Sequence, residues 1–191
     1  MDTDMSLKLP QIRMPPKIGG IKKSKKMQPP ARIKDTPYTA DMSDRERRAY
    51  YNTCGTPEER NEIVMRFRSL MQEFPSITYP EAITYYLLEK RRLKFYFQSS
   101  FDGGRTEFGG LVADFIVDIG GIAIALQVQG NYWHNKPEIR ERDILYNERI
   151  VGDQYAGLVI TTVIEVWESK LMSCDRDDTI ERALQGEGVG E

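Results

Sequence analysis

Residues 122–134 read IAIALQVQGNYWH. The run from Ile122 to Val128 is apolar apart from Gln127, which predicts a central strand buried on both faces. Its end turns polar. Gln127 and Gln129 flank Val128, Gly130 breaks the run, and His134, the single histidine of the chain, closes it. Working backward, Gly120-Gly121 predicts a turn from a strand over 112–117, VADFIV, whose apolar run is interrupted by Asp114. A glycine-rich turn over 101–110 and a strand over 93–98 predict a hairpin before that. Asp114 and the end of strand 122–128 thereby become neighbours.

Working forward, residues 137–151 predict a helix, the β-branched run 157–167 a strand, and 177–184 a last helix. Upstream, Ser43, Thr56 and Thr78 stand where N-caps belong. Thr56-Pro57-Glu58-Glu59 has proline at the first helical position and acids in the first turn. Ile63, Phe67, Leu70 and Met71 recur at helical spacing, and so do Ile83, Leu87 and Leu88. The order is helices, three consecutive strands, helix, strand, helix: an α/β chain with a mixed central sheet flanked by helices. Three segments are expected: a basic, Pro-rich extended arm over 1–40, a helical segment over 41–78, and the sheet domain over 79–191.

Charge divides the same way. Residues 1–34 hold nine Lys/Arg against Asp2 and Asp4, a net +7; with −2 overall, the remainder carries −9. Such an arm, with Lys22, Lys23, Lys25 and Lys26 at its centre, suits a nucleic acid or the acidic surface of a protein partner. It reads equally as a solvated tail. No run of 18 apolar residues predicts a membrane span, and no apolar segment follows the basic N-terminus as in a secretory signal. Cys54 and Cys174 lack the spacing of a zinc cluster or a disulfide framework, which predicts a reduced, cytoplasm-like setting.

Polar groups that interrupt buried strands are the places where this chain can carry chemistry. A carboxylate at a strand end, beside a polar side chain of the next strand, is a way to hold Mg²⁺, a hard cation that takes oxygen ligands. In the bland alternative, Asp114 caps a turn or pairs with a lysine.

The succession Tyr79-Pro80-Glu81, Leu93 to Gln98, Ala113-Asp114-Phe115-Ile116-Val117, Gln127 to His134, Asn147, Gly157 and Val166-Trp167-Glu168 resembles the very-short-patch repair endonucleases. These form a branch of the PD-(D/E)XK nuclease superfamily. The resemblance implies a restriction-endonuclease-like fold over 79–171 and metal-dependent hydrolysis of DNA. It matches Asp114 to the metal-binding aspartate and His134 to the catalytic histidine. It sets Glu81 near the metal centre and the carbonyl of Val128 as a further metal ligand; on an enzymatic reading the side chain of Gln127 is an accessory ligand. The expected cofactor is Mg²⁺, and no zinc is expected. Trp133 would stack on a base, or else beside His134 as core. The chain departs from the superfamily at Gln127 and Gln129, where an acid and a lysine are the pattern. That departure leaves a second reading: a non-enzymatic component of a large assembly, such as a viral particle, that keeps the fold and clamps its neighbours with the arm.

Overall fold

The computed structural model describes residues 39–101, 111–130 and 137–188. Three helices come first: α1 (Asp44–Asn52), α2 (Pro57–Glu73) and α3 (Tyr79–Lys90). Each starts at the cap expected from the sequence. The hydroxyls of Ser43, Thr56 and Thr78 accept from the backbone N–H three residues on, and Glu46 and Glu81 close reciprocal capping boxes.

The end of α3 explains where the first strand begins. Arg92 N–H donates to the Glu89 carbonyl and Leu93 N–H to the Leu88 carbonyl. That is a Schellman closure with Arg92 in the left-handed region at φ 56°. Leu93 is therefore consumed in ending the helix, and β1 runs Phe95–Phe101 rather than 93–98. Next come β2 (Leu111–Ile119), β3 (Ile122–Gln129), α4 (Pro137–Ile150), β4 (Gln154–Tyr155), β5 (Leu158–Trp167), α5 (Glu168–Met172) and α6 (Arg176–Leu184). The two-residue β4 and the short α5 have no counterpart in the sequence reading; both are too short to show a period.

The strands form one sheet in the order β1-β2-β3-β5-β4. The first three are antiparallel neighbours, and β5 returns through α4 to lie parallel to β3. The apolar run 122–128 is thus the middle strand. One face packs on Tyr50, Phe67, Ile83, Leu87, Leu171 and Ile180, so α1, α2, α3, α5 and α6 share a core with Phe115, Leu126 and Ile164. The other face buries Ile116, Ala125 and Ile160 with Ile150 at the end of α4. The sheet curls on this second face, bringing Tyr96 of β1 within 5.3 Å (ring centroids) of Tyr155 on β4. No helix among the described residues is long and apolar enough to cross a membrane.

The expectation that the two cysteines form no disulfide is corrected. Cys54, in the α1–α2 turn, and Cys174, in the α5–α6 turn, are joined as a disulfide with Cα atoms 5.0 Å apart. They lie 120 residues apart in sequence. Spacing along the chain carries no sign of the pairing, because the packing of the helical layer creates it.

Candidate active site

Asp114 sits where the sheet changes its regularity. The β1–β2 register runs from Phe95↔Val117 to Phe97↔Phe115 and again from Ser99↔Ala113 to Phe101↔Leu111, leaving out Gln98 and Asp114. Gln98 has φ 48°, a conformation unusual for a residue with a side chain. Phe115 and Val117 belong to one core face, whereas Ala113 and Leu111 belong to the other. Strict alternation would put all four on one face, so β2 resets at Asp114. Its partner strand resets at Gln98: Phe95 and Phe97 pack on the first face and Phe101 on the second.

The pairing of β2 with β3 runs from Ile119↔Ile122 to Phe115↔Leu126. β3 itself continues, paired with β5 as far as Gln129↔Trp167. In the stretch beyond Leu126, side chains bridge β2 and β3. The Val128 N–H donates to Asp114 Oδ2 at 2.8 Å, and Gln127 Nε2 donates to the Val112 carbonyl at 3.1 Å. Asp114 is half-buried. In an extended strand the N–H and C=O of one residue point to the same side, so the Val128 carbonyl also faces the Asp114 side.

Two further acids lie beside this strand end: Glu165, which the sequence pattern did not single out, and Glu168, the last residue of the Val166-Trp167-Glu168 match. Glu165 on β5 is the register partner of Gln127 and accepts from Asn147 Nδ2 of α4 at 3.2 Å. Glu168 opens α5, and its Oε2 lies 3.8 Å from where a Cβ on Gly130 would stand. Glu165 carries the signal that singled out Asp114, a lone acid inside a β-branched strand.

Gln129 is 7 % exposed, so it is nearly a core residue. Glu81 is 7 % exposed as well, and its carboxylate accepts the Thr78 N–H at 2.5 Å, as part of the α3 cap. Asp114, Gln127 and Val128 are brought together; Glu81 is committed to its own helix. Trp133, His134, Lys22, Lys23, Lys25 and Lys26 lie outside the described residues.

Neither a family model, nor a curated protein, nor a solved structure matches this chain.

As a cation site, the strand end offers the Asp114 carboxylate, the Val128 carbonyl and Gln127 Oε1. All are oxygens, which suits Mg²⁺ with water completing its shell. Only one of the three is charged, and among the described residues no three or more His, Cys, Asp or Glu side chains gather as a metal-binding group. The set therefore fits a weakly held hard cation.

Proposed function

We propose that this chain is a nuclease of restriction-endonuclease-like fold that hydrolyses phosphodiester bonds of DNA with Mg²⁺ held at Asp114. The supporting observation is the end of the β2–β3 pairing, where the half-buried Asp114 carboxylate accepts the Val128 N–H. The helix, three-strand, helix, strand order is the one that the periodicity of the sequence predicts. Asp114 and the Val128 carbonyl hold the cation, with Gln127 Oε1 as a neutral third donor. A divalent cation there neutralises phosphate charge and activates water. His134 accepts the proton of the attacking water, a role suited to a group titrating near neutrality. Lys22, Lys23, Lys25 and Lys26 of the arm hold the DNA backbone electrostatically, with Trp133 against a base.

Plasmid nicking tests this. The protein nicks supercoiled DNA in Mg²⁺ or Mn²⁺, and nicking stops in EDTA and in Asp114→Asn. Cutting that is undiminished in either condition refutes the mechanism.

A second reading is favoured by two details. The Gln127 amide is directed at a backbone carbonyl and the Glu81 carboxylate at a helix cap, so two of the expected site residues serve the scaffold. On this reading the fold is retained without catalysis, the arm clamps protein chains of an assembly such as a viral particle, and neither nicking nor Mg²⁺ binding is observed.

A further inference from the structure

The disulfide lies in a setting that leaves it open to thiols. Cys174 is exposed and stands just before Asp175, the N-cap of α6; Cys54 is half-buried. The two turns are also held without the sulfur bond. The Cys54 N–H donates to the Met172 carbonyl at 2.8 Å. Arg176, buried at 2 % exposure, donates through Nη1 to the Cys54 carbonyl at 2.6 Å and to the Ser173 carbonyl at 3.1 Å. Its Nη2 pairs with Glu59 at 2.8 Å. Gly55 fits between them: a Cβ there would stand 2.6 Å from both Arg176 Nη2 and Glu59 Oε2.

We propose that Cys54–Cys174 is a reversible thiol-exchange site, modified at Cys174 by a low-molecular-weight thiol. A thiolate attacks the exposed Cys174 sulfur and forms a mixed disulfide with it. The Cys54–Cys174 bond breaks, and its electron pair leaves on Cys54, which takes up a proton. A second thiolate attacks the sulfur of the bound thiol and releases Cys174. Two thiols are oxidised to one disulfide, and the protein disulfide is reduced by two electrons. After reduction the Arg176 network keeps the turns together, so the thiols stay adjacent and the bond re-forms.

The test is incubation of the full-length, non-denatured chain in mixtures of reduced and oxidised glutathione, followed by alkylation and peptide mapping. The disulfide opens and closes reversibly with the glutathione ratio while circular dichroism is unchanged, and the mixed disulfide maps to Cys174. In single variants, Cys54→Ser takes up glutathione at Cys174 about tenfold faster than Cys174→Ser does at half-buried Cys54. Reduction only in denaturant overturns the proposal, as does a mixed disulfide mapping to Cys54. So does failure of the thiols to re-pair in oxidised glutathione.

Discussion

The Asp114 carboxylate accepts the Val128 N–H at 2.8 Å, so its structural and chemical roles separate by substitution. Asparagine keeps an oxygen for that N–H but removes the charge. Asp114→Asn therefore unfolds in urea near the parent midpoint yet loses Mg²⁺ affinity by calorimetry. Asp114→Ala leaves the N–H without its acceptor and costs about 1–3 kcal/mol as well. The two glutamines behave differently from what the superfamily pattern invites. Gln127→Glu removes the donor to the Val112 carbonyl and brings a carboxylate against it. Gln129→Lys places an ammonium where the native side chain is 7 % exposed, a costly burial without a partner. The double variant restores the acid and the lysine, and its expected outcome is tighter Mg²⁺ binding with a stability loss of roughly 2–4 kcal/mol. Calorimetry and urea unfolding measure both. Unchanged metal affinity would show that Gln127 and Asp114 do not share a cation.

Each of the first three helices is set by its cap, and the caps carry predictions of their own. Glu81 closes the α3 box with Thr78. Glu81→Gln keeps an oxygen for the Thr78 N–H, so stability and any nicking stay near the parent. Glu81→Ala costs about 1 kcal/mol. Nicking that falls in Glu81→Gln at unchanged stability would give that carboxylate a part in the chemistry. At α1, Glu46 closes a box with Ser43 and also meets Arg68, whose Nε lies 2.5 Å from its Oε1. The Arg68 hydrogen bond is the main reason its pKa falls to about 2 from an ordinary 4.5. The folded state thus binds this proton more weakly than the unfolded chain. Its contribution is full above about pH 4.5 and disappears as the pH falls toward 2. Replacing Arg68 with Met therefore removes on the order of 1–3 kcal/mol at pH 7 and little at pH 2, as read from urea unfolding at the two pH values.

Across the whole molecule the disulfide ties the start of the helical layer to its end. A crosslink spanning 120 residues stabilises by up to about 4–5 kcal/mol in the chain-entropy account. Cys54→Ser, Cys174→Ser and the reduced parent should share a lowered urea midpoint by roughly the same amount. A midpoint indifferent to reduction would show that the crosslink does not restrict the unfolded chain.

The sequence by itself determined the local structure. Ser43, Thr56 and Thr78 mark helix starts because a hydroxyl satisfies an otherwise unpaired N–H, and that is a matter of a few adjacent residues. Ile122 to Val128 reads as the middle strand because its apolar run has no polar face to give to water. Asp114 stood out for the same reason, an acid in a run that excludes acids. What only the tertiary structure decided depends on segments far apart in the chain. The reset of β1 and β2 at Gln98 and Asp114 needs both strands, since neither sequence alone signals a change of face. Gln127 reads as a ligand in the sequence, and its bond to Val112 appears only once β2 lies alongside. Glu165 joins the strand end only when α4 returns β5 to a parallel register with β3. Cys54 and Cys174 meet because α5 and α6 pack against the same helical layer as α1 and α2, a proximity set by burial of the shared core rather than by any local signal.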